Sequence, residues 1–296
     1  MVDSLPRRET SPHPLLRRIA YPALLLATLA TAVVAVAGGW DPGVVSPVVT
    51  LTIIAVFALL EHLIPFEPQW RPEPREWGVY ALYFLLTALG TALAQSLVAA
   101  AVEAIAPLEP GWPLPLELPA ALLLGSLGGY AFHRFSHRNP FLWRFHGVHH
   151  VPDKVNVGNN GVNHVLDITM TQVVVQMSLA LVGFSAQSVF AVGLFVVLQG
   201  YFTHANIDVG IGWLNHVLAS PEQHRLHHST DLAEAGHYGS DLAVWDHLFG
   251  SYTWRPGRTP AAIGLSDPTS FPRTGEVVAS FLHPLRPRDR APRPGG

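Results

Sequence analysis

The chain has 296 residues, enough for one large domain or two small ones, with 13% charged residues and a mean hydropathy of +0.28. An ordinary soluble domain carries about a quarter charged residues, so this composition points away from one, and a formal net charge of -3 gives no cue to nucleic acid. Cysteine is absent, which excludes disulfides, thiolate zinc sites and cysteine-ligated iron–sulfur clusters, leaving histidine and oxygen donors for any metal.

Residues 1–18 form a polar, basic N-terminal segment with Arg7, Arg8, Arg17 and Arg18, and membrane helices are expected over 19–124. From Ile19 to Gly39 the chain is apolar and uncharged over about the length a bilayer needs. A cleaved signal peptide is the competing reading, since Ala35-Val36-Ala37 resembles a cleavage site; the length of the run favours a retained helix. A second span covers Val44 to Ile64, and a proline-rich loop over Phe66–Trp77 leads to a third from Gly78 to Ile105. A turn at Pro107–Gly111 precedes a fourth span from Leu116, which delivers His133 at its far end. The apolar run Ile168–Phe202 is too long for one span and reads as a helical hairpin broken near Gly183-Phe184-Ser185. Short interfacial helices are expected over 205–250, and 253–296 form a C-terminal segment whose Arg- and Pro-rich tail reads as disordered. The fold class is therefore an all-α integral membrane protein, with four single spans, a hairpin and a histidine-rich cap.

No Lys or Arg occurs in 19–70, 76–133 or 155–224. With the N-terminus inside, all 18 basic residues fall on the cytoplasmic side, as positive-inside orientation requires. The same parity gathers His133–His150, His204 and His224–His228 at that face of a multi-pass protein.

Sixteen histidines occur, thirteen of them between His133 and His247. His133 and His137 are spaced to share a helix face; His146, His149 and His150 make a second cluster, and His224, His227 and His228 repeat its spacing. Neutral imidazole suits iron, zinc, copper and nickel, and eight histidines in three sets exceed what one metal uses, so two metals are expected.

These residues closely resemble the fatty acid hydroxylase/sterol desaturase superfamily of membrane di-iron oxygenases, over a catalytic region of 125–252. The resemblance rests on His133-Arg134-x-x-His137, Trp143-Arg144-Phe145-His146-x-x-His149-His150, Phe202-Thr203-His204-Ala205-Asn206, Ser220-Pro221-Glu222-Gln223-His224-x-x-His227-His228 and Trp245-Asp246-His247-Leu248-Phe249-Gly250-Ser251. It implies a four-helix transmembrane core with a cytosolic cap, two iron ions, O2 as co-substrate and oxidation of a lipid C–H bond, with zinc able to replace iron on isolation. Its implied ligands are His133, His137, His146, His149, His150, His204, His224, His227 and His228. The chain departs from the pattern at Val162-Asn163-His164-Val165-Leu166-Asp167, where many relatives have Arg-x-His-Pro-x-acid, and at His237-Tyr238-Gly239, where many have Asn-Tyr-Gly. His164 and His237 are thus candidate further ligands, with helix capping and polar packing as their plainer roles. Asp167, Asn206 and Asp246 are candidates to accept the free ring N–H of ligating histidines, against ordinary capping and loop bonding.

An unactivated lipid C–H bond needs a metal–oxygen oxidant; the expected reaction is hydroxylation or desaturation, with electrons from a separate cytosolic donor. A membrane zinc hydrolase would also use imidazoles and would want a carboxylate base, for which Glu222 is the candidate. A metal transporter or sensor would line its spans with polar groups, whereas Gln95, Glu103 and Gln199 are scattered.

Overall fold

The protein is described here by a computed structural model covering residues 13–105 and 111–286. Most of the basic N-terminal segment, the turn expected at Pro107–Gly111 except its last residue, and the end of the tail lie outside the described residues. Six long helices dominate: α1 (Pro14–Gly38), α2 (Pro42–Leu63), α3 (Pro74–Ile105), α4 (Leu114–Arg138), then the short α5 (Pro140–His146), α6 (Val165–Val182) and α7 (Ala186–His204). The shortest of the six, α6, has 18 residues, about 27 Å of helix against a hydrocarbon core of about 30 Å. All six are long and apolar enough to cross a membrane. Large apolar side chains such as Leu26, Val33, Leu85 and Leu116 lie more than 60% exposed on them, a surface suited to acyl chains rather than water. The protein is a multi-pass membrane protein. Among the described residues there is no strand, only isolated bridges such as Pro65 with Ile207.

The hairpin break follows from local chemistry. Gly183 ends α6 in the left-handed conformation at φ 79°, and its amide returns to the carbonyls of Leu179 and Ala180; glycine adopts this shape without a Cβ clash. Ser185 then caps α7 through the Ser188 amide. Glu117 near the start of α4 accepts from the Ser185 amide and, at 2.9 Å, from the Ser188 hydroxyl, pinning the turn to its neighbour.

At the opposite end the helices deliver the histidines. Small residues bring α6 against α3 and α4: a Cβ on Gly90 would meet the Val165 carbonyl at 2.7 Å, and one on Gly128 the Ser178 hydroxyl at 3.4 Å. Tyr21 of α1 stacks on Phe202 of α7 with centroids 3.8 Å apart, beside Phe57 of α2. Arg17 bonds Asp208 at 2.8 Å, and the Phe66 amide bonds the Asn206 carbonyl. The start of α1 and the end of α2 therefore meet the end of α7 at the histidine end. Short helices α8 (Pro221–His227), α9 (Val244–Phe249) and α10 (Val277–Leu282), with intervening 3-10 turns, close over that end.

Candidate metal centre

His133 and His137 project from the last turns of α4, and His204 is the final residue of α7. His146 ends α5, while His149 and His150 lie on the 3-10 turn that follows, Gly147–His150. A Cβ on Gly147 would fall 2.3 Å from the Phe271 ring, so that turn sits directly under the C-terminal segment. His224 and His227 lie on α8, whose start is locked by a capping box between Ser220 and Gln223, and His228 follows it.

The nine imidazoles form two groups: His133, His137, His146, His150 and His227 in one, His149, His204, His224 and His228 in the other. Within each group one nitrogen per ring lies within 4.8 Å of all the others. The second and third histidine sets are therefore split rather than kept as clusters. The pairs four apart, His146 with His150 and His224 with His228, stay on one face. His149 and His227 project at a different angle and join the group across from their own pair. The groups abut, with the His150 and His228 rings stacked at 4.3 Å.

Outward bonds set the direction of the rings. Nδ1 of His133 lies 2.7 Å from the Tyr238 carbonyl, that of His149 3.2 Å from Val162, that of His204 3.2 Å from Asn156 and that of His227 3.2 Å from Gly236. His146 turns its Nδ1 to Asp167 Oδ2 at 3.0 Å. Since these oxygens only accept, each Nδ1 carries the proton and each Nε2 presents a lone pair inward. Nε2 of His133, His150, His204 and His227 is buried without a hydrogen-bond partner, an arrangement costly unless a cation fills it. The Nε2 atoms of His137 and His146 lie 3.2 Å apart and those of His224 and His228 3.1 Å apart. Adjacent ligands at right angles on a metal with bonds of about 2.1 Å stand about 3.0 Å apart. The residues fit two metal ions. Burial, then the neighbouring imidazoles, hold His150, His224 and His228 well below the ordinary histidine pKa of 6.5. These rings stay neutral, the form that binds metal.

The remaining candidates lie outside the groups. His164 caps α6 by accepting from the Leu166 amide at Nδ1, and its Nε2 faces the Phe281 carbonyl at 3.0 Å, so both ring nitrogens are engaged. His237 is buried with φ 65°, its Nε2 3.7 Å from Asp246. Asp246 touches no ring of either group: it accepts from the Tyr238 and Gly239 amides at 2.7 and 2.8 Å, and from Ser251 Oγ at 2.7 Å. It thereby fixes the loop whose carbonyls orient His133 and His227. Asn206 bonds the backbone of Glu67 on both sides of its amide. Glu61, buried at the end of α2, receives the Val157 and Asn206 amides and ties the Asn156 loop to the end of α7. Sequence reasoning missed Glu61; the available signal was a carboxylate at the end of an apolar span. The carbonyls of Val162, Gly236 and Tyr238 leave no trace in residue type.

Neither group contains a carboxylate, and Glu222 is engaged with Asn215 at 2.9 Å. Gln199 is bonded to Tyr21 and to the Asp241 carbonyl inside the helix packing.

The fatty acid hydroxylase family profile matches residues 118–251. The chain is 31% identical over 251 residues to ornithine lipid hydroxylase OlsE of Rhizobium tropici, covering 80% of this chain and 73% of that protein. It is 32% identical over 176 residues to alkylglycerol monooxygenase of Homo sapiens, covering 59% of this chain and 38% of that protein. The corresponding protein of Danio rerio is 31% identical over 169 residues, covering 52% and 35%. The chain thus spans little more than a third of the length of those two monooxygenases. No solved structure matches it significantly.

Proposed function

Because the chain belongs to the fatty acid hydroxylase superfamily, we propose that it is an O2-dependent membrane oxidoreductase that hydroxylates or desaturates a lipid C–H bond at a two-iron centre. One observation carries the reading: nine imidazoles fall into two adjoining groups free of carboxylates. Two irons would supply the redox chemistry that no side chain has. Hydroxylation inserts one oxygen atom into the C–H bond and releases the other as water, consuming two electrons and two protons. A separate cytosolic donor provides the electrons.

His133, His137, His146, His150 and His227 would hold one ion, and His149, His204, His224 and His228 the other. Carbonyls and Asp167 keep the rings aimed inward. The catalytic region is taken as 125–252, with 253–296 as a C-terminal segment whose Phe271 packs with Trp143 and Val148. The distribution of Lys and Arg favours the cytoplasmic face for the centre. The zinc-hydrolase reading lacks a carboxylate in either group.

The test is metal analysis of purified protein joined to lipid turnover. Two metals per chain are expected, with iron as the active form and zinc replacing it where zinc competes during expression. His149→Ala and His227→Ala should each lower metal content and abolish the O2-dependent lipid product. One metal per chain, with zinc alone sustaining activity, would point to the hydrolase instead.

A further inference from the structure

The last described helix is inside out for a surface that faces water. α10 and the 3-10 turn after it, His283–Leu285, run as one helical stretch over 277–285. Val278, Phe281, Leu282 and Leu285 fall three and four apart and share a face. All four are exposed, Val278 by 73% and Leu285 by 79%. The opposite face, with Ser280, His283 and Pro284, is the buried one. A helix lying on a protein in water places its apolar stripe inward; this one turns the stripe out and its serine and histidine in.

Its neighbours fix its height against the spans. His164, the cap of α6, faces the Phe281 carbonyl at 3.0 Å and stacks on the Phe281 ring with centroids 5.5 Å apart. On the other side Val277 lines a crevice with Tyr83 and Leu86 of α3. With only 18 residues, α6 needs its whole length to cross the hydrocarbon. Its cap, and α10 with it, therefore stands at the head-group level of the histidine end. An apolar helical face at that level matches the boundary between head groups and acyl chains. Charge selects the lipid. Arg286 follows the stripe and is exposed, and Arg288, Arg290 and Arg293 come next in the sequence, with Asp289 as the one acid among them. Glu276, at the start of α10, is turned back on the Arg273 amide at 2.8 Å.

We infer that residues 277–293 form a membrane-surface clamp: the apolar stripe lies in the head-group layer of the bilayer that the helices cross, and the arginines bind its acidic phospholipids. A run of arginines beside a membrane surface recognises that charge. What the clamp holds is the cover of the metal centre. His283 stacks on Phe271 at 4.2 Å, and Phe271 lies against Gly147, the first residue of the turn that carries His149 and His150. With a serine and a histidine facing inward, α10 has little apolar area to seat it on the protein, so the lipid contact steadies it. The clamp depends on the membrane and not on the lipid-oxidising reading.

The test uses full-length, metal-loaded protein with one fluorescent label at Leu285→Cys, in nanodiscs of phosphatidylcholine with or without phosphatidylglycerol. The chain has no native cysteine, and Leu285 is exposed, so the labelled protein should fold; its melting temperature and metal content verify that. Phosphatidylcholine spin-labelled at the head-group boundary should quench the label strongly in discs that contain phosphatidylglycerol. Each arginine near an acidic surface is worth about fivefold in occupancy. Arg286→Gln, Arg288→Gln, Arg290→Gln and Arg293→Gln combined should therefore weaken the clamp on the order of a hundredfold or more. That loss should be read as lower quenching and faster amide exchange over 277–285. Leaving out phosphatidylglycerol, or raising the salt, should act in the same direction. An unquenched label in acidic discs would take the stripe out of the membrane. Quenching indifferent to both the arginines and the lipid charge would remove the acidic phospholipids, and a label shielded only in discs holding two chains would give the stripe to a second copy. Each of these results overturns the clamp.

Discussion

Asp246 acts on the metal centre without touching a ligand. Its two oxygens gather the amides of Tyr238 and Gly239, and the carbonyls of Gly236 and Tyr238 in turn aim His227 and His133. Asp246→Asn keeps one acceptor oxygen and loses the other, so the loop should loosen and the five-histidine group with it. Groups that orient ligands typically account for about 10–100-fold in metal affinity or activity. Metal titration should show one weakened site and one intact site; two unaffected sites would remove Asp246 from the centre. His237 makes a different prediction. Burial, offset in part by Asp246, holds its pKa near 4 against an ordinary 6.5. Below pH 6.5 the unfolded chain takes up a proton that the folded chain refuses. The stability carried by neutral His237 is therefore complete above pH 6.5 and lost as pH falls towards 4, by about 3 kcal/mol in all. Asn tolerates the positive φ better than most residues and does not titrate. His237→Asn should keep both metals and gain melting temperature relative to the native protein as pH drops from 6.5 to 4. A pH-independent difference between the two would show that His237 is not held neutral. His164→Ala should leave both metals bound as well, since both its ring nitrogens serve the start of α6 and Phe281.

Among the elements, α6 is held by close approach to α3. Gly90 faces the Val165 carbonyl so closely that an added methyl would stand 2.7 Å from it, and a backbone atom in a packed helix has little room to yield. Gly129 on α4 offers a matched control, because its added methyl would meet Val175 at an ordinary 3.8 Å. Gly90→Ala should cost about 1–3 kcal/mol, as overpacking does, and should disturb the centre through Asp167, which sits on the first turn of α6. Gly129→Ala should be close to neutral. Equal melting temperatures for the two variants would show that α6 shifts freely.

At the level of the whole molecule, helix order places the loop after α2 and the C-terminal segment at the histidine end, with the Gly39–Asp41 turn at the other. Single cysteines at Gln69 and Thr259 in intact cells should resist an impermeant thiol reagent, while one at Asp41 should react. The absence of native cysteine makes each label unambiguous. Ready labelling of Gln69 or Thr259 would invert the orientation proposed from the basic residues.

Much of this was legible in the residues themselves. The apolar runs mark the helices because a bilayer fixes their length, and Gly183 marks the hairpin turn because a left-handed residue was needed there. Histidine spacing marks the three sets, but the rings three apart, His146 with His149 and His224 with His227, fall in different groups, while those four apart, His146 with His150 and His224 with His228, stay together. What spacing along one helix lacks is any information about a partner on another element. Only tertiary packing decided that His149 joins His204 and the α8 pair, and that His227 joins the α4 histidines. The same holds for the carbonyls that aim the rings: every residue has one, so only the folded backbone selects which face a histidine. His164 and His237 carried the ligand's side chain in the sequence and lie outside both groups, because the backbone turns the His164 ring to the Leu166 amide and the Phe281 carbonyl and holds the His237 ring on the far side of its loop, 3.7 Å from Asp246.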